Sequence, residues 1–192
     1  FKRLYQNLVP KKIRHDLGEY YTPDWLAELV LNEVGFTFEN FEKMGKEHDA
    51  ITPLEMRLLD PACGSGTFLV LAIKRLKEYA REHFLEGKAL GKITKNVVGF
   101  DLNPLAVMAS RANYLLALGE LIREHTSPVE LPVYFADSIL AERRSTYAGA
   151  EYALKTTVGE FSVPVTVVEK GLLSRVLSLI EECIRLDYSQ GE

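Results

Sequence analysis

The spacing of apolar positions along this chain switches between a helical and an extended period, and the switch repeats. From Thr67 to about Leu85, Phe68, Leu69, Ala72, Leu76, Tyr79 and Ala80 recur three or four residues apart with charges opposite them, which predicts an amphipathic helix. Met56 to Asp60 and Val97 to Asp101 are short apolar runs bounded by turn residues, and they predict strands. Asn103-Pro104 then caps a second helix, with Leu105, Met108, Ala112, Leu115 and Leu118 as its buried stripe and Gly119 following. Val133 to Ala136 reads as a third strand. Strands alternating with helices in this way predict an α/β fold, a parallel sheet with right-handed crossovers.

The flanks are less regular. Thr22-Pro23-Asp24 has the form of a helix start, with Thr22 as cap, Pro23 at the first helical position and an acid in the first turn. Leu26, Leu29, Val30 and Val34 follow at helical spacing, and Gly35 is the expected stop. Residues 36–55 read as a loop with some helix. Beyond residue 140, Arg143, Arg144 and the Tyr147 to Ala150 stretch read as loop, and Pro164 demotes Phe161 to Val168 to an edge or irregular strand. Leu172 to Leu186 predicts an amphipathic helix with Leu173, Val176, Leu177, Ile180 and Ile184 inward. The expected division is therefore an N-terminal helical segment at 1–35, an α/β core at 36–140, and an irregular segment with a C-terminal helix at 141–192.

Composition alters this picture little. The longest apolar run, Phe68 to Ile73, is far short of the roughly 20 residues of a membrane span. Cys63 and Cys183 stand alone, at no disulfide-framework or metal-ligand spacing, so a reducing cytoplasmic setting is expected. The net charge of −4 speaks against a dedicated nucleic-acid-binding module. The charge is uneven, however. Lys2, Arg3, Lys11, Lys12 and Arg14 lie in the first 15 residues with no acid among them, and setting them aside leaves −9 for the rest. That start is either a solvated amphipathic segment or an arm for phosphates or a partner.

The chemistry sits where the strands end. Ligands of open parallel sheets bind outside the carboxyl ends of the strands, and all three predicted strands end on an acid: Asp60, Asp101 and Asp137. Each alone could cap a helix or sit in a solvated turn. Together they line a cleft with hydrogen-bond acceptors, suited to a ligand rich in amines and hydroxyls. After the first strand, Gly64 and Gly66 let the backbone turn sharply and approach a ligand closely. The dinucleotide fingerprint is excluded, because position 69 is Leu where Gly or Ala is needed and the next strand-end acid comes too late. No Gly-Lys-Ser/Thr of a phosphate-binding loop is present.

Asp60-Pro-Ala-Cys-Gly-Ser-Gly-Thr-Phe-Leu69 resembles motif I of the amino-methylating DNA methyltransferases. Gly99-Phe-Asp-Leu-Asn-Pro104 is similar to their motif II, and Ala136-Asp-Ser-Ile139 to motif III. Arg14-His-Asp-Leu-Gly-Glu-Tyr-Tyr-Thr-Pro23 resembles the N-terminal motif X of adenine-N6 enzymes from restriction–modification systems, and the four motifs stand in that family's order. The resemblance implies a class I methyltransferase-like, Rossmann-type parallel sheet with flanking helices, truncated after about three core strands. It also implies S-adenosylmethionine as cofactor. Asp60 with Pro61, Ala62, Cys63, Gly64, Gly66 and Phe68 would receive the methionine moiety, and Tyr21, Thr22 and Pro23 would close over it. Asp101 would accept from the ribose hydroxyls, Leu102 would pack on the adenine, and Asp137 would accept from its exocyclic amine beside Ser138 and Ile139.

The same resemblance implies double-stranded DNA as the substrate of the whole protein, with a recognition or nuclease domain as an expected partner. Cys63 is expected to shape the turn rather than act as a nucleophile, because the Pro-Cys-Gln context of the covalent cytosine enzymes is absent. The family's catalytic Asn/Asp-Pro-Pro-aromatic motif occurs nowhere in the sequence, and Asn103-Pro104-Leu105 is not it. No catalytic residue and no metal ligand is assigned, and the chain alone is expected to bind cofactor without transferring a methyl group. An RNA or protein methyltransferase, and a noncatalytic cofactor-binding interaction module, remain the alternatives.

Overall fold

The structure is a computed structural model that describes residues 22–123, 125–137, 142–147, 149–156, 159–172 and 175–176. The chain divides into two compact units, Phe1–Ser138 and Ile139–Glu192.

The first unit begins with α1 (Asp24–Glu33) and α2 (Phe38–Glu47), then a 3-10 turn at Thr52–Glu55. Residues 36–55 thus hold more helix than their mixed composition predicts. Thr37 caps α2 by accepting from the Asn40 N–H at 3.2 Å. Three parallel strands follow, β1 (Leu58–Asp60), β2 (Val97–Asp101) and β3 (Val133–Phe135), in the order β1-β2-β3. The first is two residues shorter than its apolar run. Between β1 and β2 lie α3 (Thr67–Glu82) and α4 (Glu86–Asn96); between β2 and β3 lie α5 (Pro104–Leu118) and a single turn, α6 (Glu120–Arg123). Register sets Leu58 against Val97 and Gly99 against Val133. This is the strand–helix alternation that the apolar periods predict. Among the described residues no helix is long and apolar enough to cross a membrane.

The core gathers around α3, whose Leu69, Ala72, Ile73, Leu76, Tyr79 and Ala80 are all buried. Tyr79 joins it to the N-terminal helices: its ring meets Phe41 edge-on at 5.9 Å and its hydroxyl donates to the Ala50 carbonyl at 2.9 Å. Arg75 donates to the Phe36 carbonyl at 2.7 Å.

Two expected stripes are corrected. In α1 the buried residues are Ala27 and Leu31, whereas Leu29, Val30 and Val34 are exposed. In α5 the buried set is Ala106, Val107, Ser110, Tyr114, Ala117 and Leu118, while Leu105, Met108 and Leu115 face outward. Both helices are apolar on more than one face, so periodicity alone does not choose the face. The start of α1 also shifts by one: Pro23, not Thr22, is the capping residue.

Tyr114 closes the junction of α4 and β2. It is fully buried, and its hydroxyl lies 3.0 Å from the Val97 carbonyl and 3.2 Å from that of Ile93. Burial pushes the phenol's pKa up, so it remains a neutral donor. Tyr114→Phe should lower unfolding free energy by about 1–2 kcal/mol, because a buried acceptor loses its partner while the ring packing stays. Chemical denaturation of the two chains checks this.

The second unit holds an antiparallel sheet of β4 (Glu142–Thr146), β5 (Gly149–Thr156) and β6 (Gly159–Pro164), then a short α7 (Val165–Glu169). The loop expected over Arg143, Arg144 and Tyr147–Ala150 is therefore corrected to two strands and their turn. Gly149, at φ +121, makes the turn possible, and the Thr146 hydroxyl donates across it to the Gly149 carbonyl at 2.7 Å. Pro164 ends an edge strand, opposite Glu151, and caps α7. Most of the helix expected over Leu172–Leu186 lies outside the described residues.

Candidate functional site

β1 stops at Asp60, and the next six residues reach α3 through two glycines with positive φ, Gly64 at +52 and Gly66 at +82. A carboxylate oxygen of Asp60 accepts from the Ala62 N–H at 3.3 Å. The Cys63 N–H donates to the Phe100 carbonyl of β2 at 2.8 Å, and the Gly66 N–H donates back to the Cys63 carbonyl at 2.7 Å. The two glycines serve different ends. A Cβ on Gly66 would stand 2.5 Å from the Ser110 Oγ of α5, so this glycine is a packing requirement. A Cβ on Gly64 would meet nothing within 4 Å, so its backbone borders open space that a ligand can enter.

Asp101 ties this loop to the next one. One carboxylate oxygen accepts from the Gly64 N–H at 2.8 Å, and the other accepts from the Asn103 N–H at 2.8 Å. Asn103 in turn caps α5, its side chain accepting from the Leu105 N–H at 2.9 Å. Burial raises the Asp60 carboxyl above its ordinary value; the Ala62 N–H opposes this and the nearby Asp101 charge adds to it. Cys63 is buried, and burial pushes its thiol up to about 12 despite the contact with Ser110, so it is a neutral thiol at physiological pH. Leu102 is 60% exposed. Phe68 lies half-buried at the start of α3, and Asp137 is half-buried two residues beyond β3.

The strand-end acids and the loop thus come together through Asp60, Gly64 and Asp101. Beside the loop opens a cleft of about 270 Å³ whose lining includes Asp24, Ser65, Gly66, Thr67, Lys74 and Asn113. It brings the start of α1, just after Thr22 and Pro23, to the loop's far side. None of the three strand-end acids lines it, so this cleft and the acidic edge are separate features. Tyr21, Ser138 and Ile139 lie outside the described residues. Sequence reasoning missed Ser110 and Asn113 of α5, which back the loop. The only signal for them is their polarity within an otherwise apolar helix.

A glycine loop after the first strand, uncapped by any side chain at the start of α3 and clamped by the acid of the second strand, is the strand-end architecture of an open parallel α/β sheet. The sequence pattern of the N-6 DNA methylase family matches residues 4–126, and the chain belongs to that family. It is 28% identical, over 171 residues, to the adenine-specific methyltransferase PglX of Streptomyces coelicolor, covering 82% of this chain and 13% of that protein. It is 24% identical, over 153 residues, to a candidate type II restriction enzyme and methyltransferase of Methanocaldococcus jannaschii, RM.MjaORFECS2P, covering 59% of this chain and 13% of that protein. The chain therefore spans about one eighth of the length of these relatives.

Proposed function

We propose that this chain is the S-adenosylmethionine-binding portion of a site-specific DNA methyltransferase that modifies adenine at N6, as part of a restriction–modification system. Its sheet is the first half of a class I methyltransferase-like, Rossmann-type core. The observation that carries the reading is the Asp101 clamp. It joins the glycine loop to the acid best placed for ribose hydroxyls, leaving the backbone of Gly64 bordering open space.

The residues fit the group. Asp60 offers a partly desolvated carboxylate to an ammonium, and the loop from Pro61 through Gly66, with Phe68, surrounds the methionine end. The family resemblance assigns Tyr21, Thr22 and Pro23 to closing over it. Asp101 keeps free lone pairs for ribose hydroxyls after its two backbone bonds. Exposed Leu102 offers an apolar surface to the adenine, and the family resemblance assigns its amine edge to Asp137, Ser138 and Ile139. When bound, the cofactor supplies a sulfonium methyl for an exocyclic amine of a base flipped from the duplex. In the whole protein the partners are double-stranded DNA and a recognition or nuclease domain, in the cytoplasm. Within this chain, 1–35 carries the closing segment, 36–140 the cofactor core and 141–192 an appended segment.

Titration calorimetry of the 192-residue chain with S-adenosylmethionine and, in parallel, NAD tests the reading; heat with NAD alone would overturn it. The sequence contains no Pro-Pro pair and therefore lacks the family's catalytic motif. The chain should accordingly bind cofactor yet leave no labelled methyl on unmethylated DNA, and measurable base methylation would contradict this.

A pH dependence follows from Asp60. Its ionised form faces the ammonium, and its carboxyl titrates above the ordinary 3.8. Affinity should be full at neutral pH and decline as pH falls through that raised value, earlier than for an ordinary aspartate. Asp60→Asn should bind more weakly and lose this acid limb, as calorimetry at several pH values would show.

A further inference from the structure

The glycine loop is anchored on two sides of unequal strength. On the β2 side it has the Phe100 carbonyl and the Asp101 carboxylate, holding Cys63 and Gly64. On the α5 side stand the hydrogen bond from the Asn113 Nδ2 to the Ser65 carbonyl at 2.9 Å and a long, weak one from the Cys63 Sγ to the Ser110 Oγ at 3.7 Å. Between these anchors the loop carries two residues with positive φ and an unmet polar group. Ser65 is 3% exposed, and its Oγ is buried without a hydrogen-bond partner among the described residues. The unmet hydroxyl favours leaving this conformation, since an unsatisfied buried hydroxyl costs free energy that another loop arrangement could recover. Ser110 presses against Gly66 from the same helix and accepts only the weak thiol bond from Cys63, leaving the Ser65 carbonyl to Asn113. Helix α3 begins directly after Gly66 with no side-chain cap, so the setting of the Ser65–Gly66 peptide also sets where its free N–H groups lie.

We propose that Asn113 is a positioning residue for the cofactor loop. It holds the Ser65 carbonyl turned toward α5 and so keeps the Gly64–Thr67 backbone in the ligand-receiving shape. The inference rests on the cofactor reading above for its functional consequence, but its structural content stands in the ligand-free chain. It adds a residue from the second crossover helix to a site otherwise built from strand ends and the turns that follow them.

The test uses the full 192-residue chain with Asn113→Leu, which keeps the branched heavy-atom outline and removes the donor, and Asn113→Asp, which keeps shape and replaces the donor with an acceptor. Amide hydrogen exchange without ligand should rise about tenfold in the peptide spanning Gly64 to Thr67 and stay unchanged in α4. Affinity for S-adenosylmethionine should fall about tenfold, the factor an ordinary hydrogen bond carries. Leu115→Ala, on the exposed side of α5, should alter neither. A merely structural tie would lower the melting temperature and raise exchange evenly along α5, with loop exchange and affinity no more affected than elsewhere; that result overturns the proposal. So does an unchanged loop exchange in a folded variant. A wild-type chain that binds no S-adenosylmethionine overturns the cofactor reading instead, and loop exchange still decides the role of Asn113. If Asn113→Leu does not fold, the isosteric Asn113→Asp carries both measurements.

Discussion

Replacing Asp101 with alanine should cost the chain about two orders of magnitude in S-adenosylmethionine affinity, more than any other single change at the strand ends. The reason is that this carboxylate does two things at once. It holds the Gly64 and Asn103 N–H groups, both at 2.8 Å, and under the proposed reading it also accepts from the ribose. Hydrogen bonds to a charged acceptor are worth roughly 1.5–3 kcal/mol each, so losing the ligand contacts alone reaches the factor of 100. Freeing Gly64 adds to the loss, because the loop must then be ordered on binding. Asp101→Asn separates the contributions. It retains one carbonyl oxygen, and so one backbone clamp, but sets an amide donor against a second N–H. Its affinity should fall between wild type and alanine. Calorimetry gives the affinities, and the denaturation midpoint separates cofactor loss from unfolding. An alanine variant that binds within a few-fold of wild type would sink both the clamp and the ribose assignment.

The double duty of Asp101 also marks how far the sequence could be read. An acid at a strand end announces a polar ligand, and Asp101 was legible in that sense. That its two oxygens are already engaged by backbone donors was not, because backbone partners leave no residue-type trace. The same divide runs through the fold. Val97 to Asp101 was legible as a strand because β-branched and aromatic residues fill it between a helix and an Asn-Pro start. Thr67 onward was legible as a helix because its buried face is apolar and its outer face charged. The burial of α5 was misjudged for the lack of that contrast. Leu105, Met108 and Leu115 look like core by size, yet the close approach of α5 to the glycine loop admits Ser110, and Tyr114 reaches the Val97 carbonyl from the same face. Ser110 and Asn113 therefore read as breaks in an apolar stripe, when they are what that stripe is turned toward. The hairpin of β4 and β5 was missed for a different reason. Its strands carry Glu142, Arg143, Arg144 and Glu151 among small residues, and pairing with each other, not burial, fixes them.

Gly66→Ala should be the most destabilising substitution in the loop, and it can be dissected. Two costs combine. An L-residue at φ +82 sits in the left-handed region, at roughly 1–2 kcal/mol. The new Cβ would also stand 2.5 Å from the Oγ of Ser110, which is fully buried and has little room to retreat, at a further 1–3 kcal/mol or so for overpacking. The expected total, about 2–5 kcal/mol, is a large share of the roughly 5–15 kcal/mol that holds a domain folded. For a chain of this size it corresponds to a melting temperature lower by on the order of 10 °C. Ser110→Ala removes the clashing oxygen and leaves the Ser110 Cβ position 3.4 Å away, a tolerable contact. The double variant Gly66→Ala with Ser110→Ala should then recover the steric share and keep the conformational one, giving a coupling of about 1–3 kcal/mol in a double-mutant cycle. Strict additivity would mean that the clash is relieved elsewhere and that Gly66 is required for its backbone angle alone. In either case binding of S-adenosylmethionine by the double variant should stay below wild type, because the left-handed turn that positions the start of α3 is still strained.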